Sequence, residues 1–319
     1  MRFLQPLVYV DAIARAGSIR RAAETLAITS TALNRRVLAL EEELGAPLFE
    51  RLPGGVRLSA AGELFVHHAR RELAEMRRLR ARIDDLSGER RGHVALGCGQ
   101  ALMHSLMPRL VARYREAHPA VTFGVSVCTR DNASSSLESF AADLVVVFEP
   151  PPSDAVETVA RLAQPVRLLC RDDHPLVVGR AGSVPLDDCF DWPMALPTLG
   201  NGVRHLLERR AARLGRALPL AIESDSAVLI ERVLADGDAI SFQIPVGLRG
   251  GGRAGRLVHR PLDGHGTPAG EVRALQLRGR TLPVPAARFA ERLRAAFEAF
   301  DASGAAAAID VPEAGSGGR

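Results

Sequence analysis

The segment 18–44 constrains the fold of this chain more than any other, because it encodes two short amphipathic helices separated by a tight break. Apolar residues recur at helical spacing in the first helix, and the hydroxyl of Ser18 can cap its N-terminus. In the break, Ile28 is an apolar plug and Thr29 is the N-cap of the second helix. The second helix carries one apolar stripe, formed by Leu33, Val37, Leu40 and Leu44.

The opposite face of the second helix is mainly polar. At about 100° per residue, it presents Thr31, Asn34, Arg35, Leu38 and Glu42. Asparagine can bind adenine through two hydrogen bonds, arginine can do so with guanine, and neighbouring arginines can bind phosphates. This pattern is typical of a helix-turn-helix protein whose second helix reads bases in the major groove. An ordinary helical hairpin with a solvated polar face is the alternative explanation of these residues taken alone.

Four stretches near the N-terminus resemble the DNA-binding region of LysR-type transcriptional regulators. They are Gly17–Ala23, Ala32–Arg35, Leu40–Arg51 and Val56–Gly62. The resemblance implies a winged helix-turn-helix domain over residues 1–58. The chain has Ser30-Thr31 where the family usually has Gln-Pro, and Asn34 where serine is common. These departures concern the operator sequence and leave the fold prediction unchanged.

The caps, the polar face and a wing after the second helix together predict the DNA-contacting residues. They are Ser18, Arg20, Thr29, Ser30, Thr31, Asn34, Arg35, Arg36, Leu38, Arg51 and Arg57. The wing spans residues 47–58, with Leu48 and Phe49 as anchors and a turn at Gly54-Gly55. Its two arginines would lie beside the phosphate backbone or the minor groove, although a solvated surface charge explains Arg51 equally well.

Charge is distributed unevenly along the chain. All 41 basic residues are arginine, and residues 1–91 hold 16 of them against 12 acidic residues, which accounts for the whole net charge of +4. Phosphate binding favours such an excess. We expect a cytoplasmic protein, since we find neither a signal peptide nor a membrane span. Four widely spaced cysteines indicate reduced thiols without a disulfide framework or metal site, and no cofactor is expected.

Helices flank the paired segment. Residues 3–16 are predicted to form a first helix with Leu4, Leu7, Val8 and Ala12 or Ile13 facing inwards, and Gly45 ends the second helix of the pair. Ser59 caps a long helix that extends to about Leu86. Its apolar residues average 3.5 positions apart, as in a coiled-coil seam: Phe65, Ala69, Leu73, Met76, Leu79, Ile83 and Leu86. The family resemblance implies that this linker helix, within residues 59–91, pairs two subunits, and that dimers assemble into tetramers.

Strands and helices alternate after a hinge at residues 87–92. Two successive blocks of this kind predict parallel sheets with helical cover, followed by a disordered tail over residues 301–319. The region resembles the regulatory domain of the same family, which shares its fold with periplasmic solute-binding proteins. The resemblance implies lobe I at 92–165 and 268–300 and lobe II at 166–267. The overall prediction is an α+β multidomain chain: a winged helix-turn-helix head, a linker helix and a two-lobed α/β effector domain.

Ligands of open α/β sheets lie beyond the carboxyl ends of the strands. This rule selects a candidate effector site for a small anionic metabolite: Cys98, Gly99, Gln100, Ala101, Thr129, Arg130, Pro197, Thr198, Phe242 and Gln243. Local capping explains any single one of these residues equally well. Cys98 or Cys128 could also be a redox sensor at a helix N-terminus, although a buried inert thiol is the simpler explanation.

Other classes of function fit less well. The chain has no G-x-S-x-G, P-loop or H-E-x-x-H motif, which argues against the corresponding enzymes. The sequence Gly97–Leu102 lacks the third glycine of a dinucleotide fingerprint. A free-standing solute-binding protein would need a signal peptide and would not need a DNA-reading segment. We therefore predict an effector-controlled transcription factor whose partners are double-stranded DNA, a small effector, further copies of itself and RNA polymerase.

Overall fold

A computed structural model describes residues 4–86, 92–247, 256–263 and 267–303. The chain divides into two compact units. We name them after the roles that the sequence predicts: the DNA-binding unit comprises Met1–Glu89 with Ser139–Ala141, and the sensor unit comprises Arg90–Glu138 with Ala142–Arg319. The division falls between Glu89 and Arg90, within the hinge that the sequence predicts, but residues 87–91 lie outside the described residues.

Three helices begin the DNA-binding unit: α1 (Gln5–Ala16), α2 (Ile19–Thr25) and α3 (Ser30–Leu44). The predicted caps are present. The Ser18 hydroxyl accepts a hydrogen bond from the Arg21 amide at 3.5 Å, and the Thr29 hydroxyl accepts one from the Ala32 amide at 3.2 Å. Gly45 ends α3 in the left-handed conformation, which glycine adopts without a steric penalty.

A two-stranded antiparallel wing follows, formed by β1 (Phe49–Leu52) and β2 (Gly55–Leu58). Its base is fixed by Glu41 of α3, whose carboxylate accepts hydrogen bonds from the Leu48 amide at 2.6 Å and the Phe49 amide at 3.1 Å. Helix α4 (Ala60–Leu86) then begins after Ser59, whose hydroxyl accepts a bond from the Gly62 amide at 3.0 Å. The wing and the long helix thus have the places that the sequence predicts.

The inner face of α1 differs from the prediction. Ile13 is buried as predicted, but Val8 is 37% exposed, and Tyr9 and Val10 are buried against the other helices instead. The helix is rotated because the Tyr9 ring supplies more apolar area than Val8, while its hydroxyl accepts a hydrogen bond from the Arg36 side chain. Two residues after Tyr9, Asp11 binds Arg70 of α4 through a contact of 2.7 Å, which ties α1 to the linker helix.

The first lobe of the sensor unit contains a five-stranded sheet. Its elements are β3 (Gly92–Cys98), α5 (Gln100–Met103), α6 (Leu106–Ala117), β4 (Val121–Val127), α7 (Ala133–Glu138), β5 (Leu144–Phe148), β6 (Val156–Pro165), β13 (Ala269–Leu277) and α11 (Val284–Ser303). The strand order is β4-β3-β5-β13-β6. Strands β3, β4 and β5 are parallel, as predicted, whereas β13 runs antiparallel to both of its neighbours. The all-parallel expectation is wrong for this half of the sheet, and the sequence analysis missed β6.

The second lobe also has a mixed topology. Its elements are β7 (Arg167–Arg171), β8 (Val184–Pro185), α8 (Leu186–Cys189), β9 (Met194–Leu196), α9 (Gly202–Leu214), β10 (Leu220–Glu223), α10 (Ala227–Asp236), β11 (Ser241–Gln243) and β12 (Leu257–Asp263). One sheet has the order β11-β7-β12-β8, and β9 pairs with β10 in parallel. Strand β7 runs antiparallel to β11 and β12, so the parallel prediction is wrong for this sheet, whereas the β9–β10 pair is parallel as predicted.

The chain passes between the lobes at two adjacent points. The Val166 amide donates a hydrogen bond to the Pro268 carbonyl at 2.9 Å, so the two crossing strands pair near the predicted positions. Residues 248–255 lie outside the described residues, while Gly247 is buried in a short 3₁₀ turn. Helix α11 continues to Ser303, which corrects the start of the predicted tail; residues 304–319 lie outside the described residues.

Candidate functional site

Helix α3 presents the predicted reading face. Leu33 and Val37 are buried in the core, whereas Thr31, Arg35 and Leu38 face solvent, Leu38 with 46% of its surface exposed. Among the described residues, Arg35 has no ion pair or hydrogen-bond partner for its guanidinium group. Leu44, the last residue of the apolar stripe, is exposed instead of buried, because the helix has already passed the edge of the core there.

Other predicted DNA contacts on the helices have partners within the chain. Ser18 and Thr29 use their hydroxyl oxygens as caps, and exposed Arg20 lies 3.9 Å from Glu24. Ser30 is exposed at the first turn of α3. Arg36 stacks on Tyr9, with the guanidinium carbon 5.1 Å from the ring centroid. Arg36 therefore holds α1 against α3 in addition to presenting its charge at the surface.

The wing contributes the last two predicted residues. Arg51 of β1 donates to the Asn34 side-chain oxygen at 3.1 Å, which brings wing and reading helix together. Asn34 keeps its amide nitrogen and the second lone pair of its oxygen for a base, so the two-bond adenine contact is compatible with the bond from Arg51. Arg57 of β2 forms an exposed ion pair with Glu50, and this carboxylate raises the pKa of the guanidinium group.

The sequence analysis missed three residues that position this face. Glu41 fixes the wing, Tyr9 orders Arg36, and Asp11 joins α1 to α4. A capping or helical pattern does not identify these contacts, because each joins separate elements. Glu41 lies within Leu40–Arg51, a stretch that resembles the family, but its role is visible only from the three-dimensional position of the wing.

A cleft between the two lobes of the sensor unit contains most of the predicted effector residues. Its empty volume is about 650 Å³, which includes space open to solvent. Eight of the ten predicted residues line it: Gly99, Gln100, Ala101, Thr129, Arg130, Pro197, Thr198 and Gln243. Cys98 and Phe242 do not, because their side chains are buried in the core. In β11, residue Phe242 points to the opposite face from Gln243, as strand alternation requires.

The sequence analysis missed other lining residues. These include Val127, Val147, Phe148, Asn201, Asp225 and Ile244. Val147 and Phe148 end β5, so the strand-end rule would have selected them had it been applied to that strand. Asn201 and Asp225 precede helices α9 and α10, a position from which a side chain can reach both the helix cap and the cleft.

The lobes touch along the cleft. The Arg130 amide donates to the Gly200 carbonyl at 3.2 Å. Gly202 begins α9 so close to β5 that an added Cβ atom would lie 2.3 Å from the Phe148 carbonyl oxygen. Glycine is therefore required for this approach of the two lobes.

The four cysteines are buried free thiols, and none of them forms a disulfide bond. Burial raises the pKa of the Cys98 thiol strongly and also raises that of Cys128. It raises the pKa of Cys170 to about 11 and that of Cys189 to about 12. Since the thiolate is the reactive form, these surroundings favour the inert alternative for Cys98 and Cys128.

The described part of the chain contains no cluster of three histidine, cysteine or carboxylate side chains suited to a metal ion. In that same part, every helix is too short or too polar to cross a bilayer.

Comparison with known protein families gives two matches along the chain. Residues 4–63 match the family described as bacterial regulatory helix-turn-helix protein, lysR family, and residues 87–298 match the LysR substrate binding domain. An SDS degradation transcriptional activation protein from a Pseudomonas species is 31% identical over 247 residues, covering 76% of this chain and 79% of that protein. A RuBisCO operon transcriptional regulator of Allochromatium vinosum is 28% identical over 238 residues, covering 75% and 78%.

Solved structures share the fold at lower sequence identity. A crystal structure of full-length CbnR with its target DNA has a TM-score of 0.64 and 20% identity, covering 91% of this chain and 98% of that one. A full-length OxyR variant from Pseudomonas aeruginosa has a TM-score of 0.69 and 21% identity, covering 91% and 94%. Both support a helix-turn-helix unit joined to a two-lobed α/β unit.

Proposed function

The chain belongs to the LysR family of transcriptional regulators, and from this premise we propose that α3 reads its operator through Arg35 while the cleft holds a small effector. The protein is a DNA-binding regulator with an effector-binding domain. The single observation that supports the reading role is the exposed Arg35 on α3, which has no partner in the described ranges and lies beside the Asn34–Arg51 contact. A helix enters the major groove with such residues on its outer face.

Base reading and phosphate binding are assigned to different residues. Within the described part of the chain nothing binds the guanidinium fork of Arg35, which suits two hydrogen bonds to guanine. Arg20, Arg36, Arg51 and Arg57 supply positive charge around it, and Ser30 and Thr31 offer hydroxyl groups at the start of α3. These residues would position the helix on the duplex by contacting phosphates. CbnR, a protein of the same fold, has been crystallised with its target DNA.

Effector control is proposed to act through the cleft. A ligand held by both lobes favours the closed arrangement over the open one, and its effect on DNA binding equals its difference in affinity for the two states. The lining amides and hydroxyls of Gln100, Thr198 and Gln243 support this role. A solute-binding protein without a DNA role, the alternative considered from the sequence, would leave the DNA-binding unit without a function.

Self-association is proposed to use α4. At about 1.5 Å per residue this helix extends roughly 40 Å, and it exposes Leu79 on the predicted seam. A two-fold dimer would place two α3 helices on two half-sites. Assembly into tetramers, contact with RNA polymerase and action in the cytoplasm, where a bacterial operator lies, stay proposals of the same kind. We propose no catalytic role.

Selection of bound duplexes from a random pool tests the DNA-reading function. The full chain is expected to enrich one motif with two related half-sites at moderate salt. Enrichment of no motif by a folded, self-associated preparation would contradict sequence-specific binding. Repeating the selection with Arg35→Ala assigns the reading residue, because the enriched motif should then become degenerate at one position of each half-site.

A further inference from the structure

The charge balance of the cleft constrains the chemistry of the effector, and this inference rests on the proposed effector role of the cleft. Among the described lining residues, the formally charged side chains are Arg130 and Asp225, which have opposite signs. The chain has no lysine. A site for a carboxylate or phosphate offers unpaired cations or the free amides of a helix long enough to have an appreciable dipole.

Arg130 is already engaged by groups of its own lobe. Its Nε donates to the Glu149 carbonyl at 2.7 Å, and its Nη1 donates to the Asp131 carboxylate at 2.9 Å. The side chain is only 14% exposed. The Asp131 carboxylate compensates the charge of Arg130. Because Asp131 is the next residue in the chain, an anionic ligand would have to compete with a carboxylate that is always close to the guanidinium group.

The N-terminus of α9, which also faces the cleft, is occupied as well. The Asn201 side chain accepts hydrogen bonds from the Val203 amide at 2.9 Å and the Arg204 amide at 3.5 Å. Behind them, the buried Arg204 guanidinium lies 2.6 Å from Glu208 and 3.4 Å from Glu223. The α9 amides of Val203 and Arg204 and this second cation are therefore engaged. At the cleft, the Gln100 and Ala101 amides of the four-residue helix α5, whose N-cap Gly99 makes no side-chain cap hydrogen bond, remain as uncharged donors.

The groups that remain are uncharged or negative. Within the described residues, the side chains of Gln100 and Thr198 have no hydrogen-bond partner, and Asp225 has no ion pair. Gln243 uses its oxygen to accept from the Ile244 amide, which leaves its NH₂ group. Apolar side chains complete the lining: Leu102, Val127, Val147, Phe148, Val203 and Ile244.

We propose that the effector is a small uncharged amphipathic molecule, whose polar groups bind Gln100, Thr198 and Gln243 while its apolar body packs against the ends of β5 and β11. This replaces the anionic metabolite expected from the sequence. A net anion would gain no unpaired cation in the cleft and would be repelled by Asp225. An uncharged ligand satisfies the free amides and hydroxyl without that penalty.

The test uses the low-molecular-mass fraction of an extract from the bacterium that carries the gene. The fraction is passed at neutral pH through strong anion-exchange and cation-exchange resins, and each portion is added to the full-length protein in a thermal unfolding assay. We expect the portion that passes both resins to raise the Tm by about 5 °C or more when its active molecule is well above its Kd. In Gln100→Leu, binding of that portion should weaken about tenfold.

Gln276→Leu is the matched control, because Gln276 of β13 binds Glu157 and does not line the cleft; its Tm shift should equal that of the wild type. Retention of the stabilising activity by either resin would overturn the uncharged class while leaving the effector role of the cleft in place. An unchanged response of Gln100→Leu would also overturn the proposed contacts. If the unfractionated pool stabilises neither protein, the effector role itself fails, and the inference fails with it.

Discussion

Arg35 and Arg57 are both exposed arginines of the DNA-binding unit, but their surroundings predict different roles. Arg35 has no partner among the described residues, whereas Arg57 is paired with Glu50 on the wing. We expect Arg35→Ala to weaken operator binding by about 10- to 100-fold and to relax base preference, since it removes a base contact. Arg57→Ala should weaken binding to all duplexes similarly and lower the salt dependence by about one ion.

Titration of operator and non-operator duplexes at several salt concentrations measures both effects. Equal losses on the two duplexes for Arg35→Ala would show that this residue contacts phosphates only. Arg209→Ala, an exposed arginine of α9 in the sensor unit, is the control and should leave both affinities unchanged.

His174 predicts a pH dependence of the sensor unit. The ring is 1% exposed; its Nδ1 accepts from the Leu176 amide at 3.2 Å, while Nε2 donates to the Asp238 carbonyl at 3.1 Å. Burial lowers the pKa of this imidazole below its ordinary value of 6.5. Its folded pKa is therefore below the unfolded one, so its contribution to stability is complete above about pH 6.5 and is lost as the pH falls towards the folded pKa.

Urea denaturation of the sensor unit at several pH values between 7 and 5 measures this loss. The free energy of unfolding should fall by at most about 1.4 kcal/mol per pH unit for one proton. His174→Gln should be less stable at neutral pH and should show a shallower decline on acidification. His259 and His205, whose pKa values are also lowered mainly by burial, leave a remaining slope in the variant. An identical decline in wild type and variant would contradict the role of His174.

At the scale of elements, the junction between wing and linker helix depends on Gly62. A Cβ atom there would lie 2.0 Å from the Leu48 carbonyl oxygen, so α4 could not begin where it does. Alanine ordinarily favours a helix over glycine, but here the clash should dominate. We expect Gly62→Ala to lower the free energy of unfolding of the DNA-binding unit by about 2 kcal/mol or more.

Gly54→Ala is the control, because no atom lies within 4 Å of the added carbon at this turn of the wing. It should change stability by less than about 0.5 kcal/mol. Chemical denaturation followed by circular dichroism distinguishes the two variants. Equal stability of Gly62→Ala and wild type would mean that the junction can relax at little cost.

Elements with local signals were predicted well from the sequence. Helix α3 has its N-cap at Thr29 and its C-cap at Gly45, and both signals lie within the helix or beside it. Strand β6 was missed because its stability comes from pairing with β13, which is more than a hundred residues away in the chain. Val8 was misplaced for a related reason: either of two apolar faces of α1 fits helical periodicity, and packing with α3 and α4 selects the one that contains Tyr9.

For the whole molecule, topology and site differ in how far the sequence predicts them. Parallel pairing of β3, β4 and β5 follows from strand–helix alternation, but the reversed direction of β13 depends on the chain returning from the second lobe. The strand-end rule placed Gln100, Thr129 and Thr198 around one cleft because it depends only on sheet geometry. It could not show that Asp131 and Glu149 engage Arg130, the contacts on which the proposed uncharged ligand class depends.

Self-association through α4 gives a prediction at this scale. Leu79 is 48% exposed on the seam, and a charge there would be desolvated if two linker helices pair. We expect Leu79→Asp to shift the dimer to monomer in sedimentation analysis. Its affinity for a duplex with two half-sites should fall about 100-fold or more, towards that for a single half-site, because the two reading helices no longer bind as one unit. Arg71→Ala, an exposed position away from the seam, should stay dimeric; a dimeric Leu79→Asp would place self-association elsewhere.

Closure of the cleft between the two lobes gives a second prediction for the whole molecule. Gly202→Ala would place a carbon 2.3 Å from the Phe148 carbonyl oxygen, so the start of α9 must move away from β5 and the closed arrangement becomes less favourable. Since a ligand that bridges both lobes must then supply the energy of closure, its apparent affinity should fall about tenfold or more, with operator affinity in its absence changed by less than about threefold. The measurement pairs ligand-dependent Tm shifts, using the cell-extract fraction, with operator titration. Gly182→Ala, where the added carbon meets no atom within 4 Å, should behave as wild type. An undiminished Tm shift in Gly202→Ala would mean that the ligand binds without drawing the two lobes together at this contact, and effector control would then require a different two-state element.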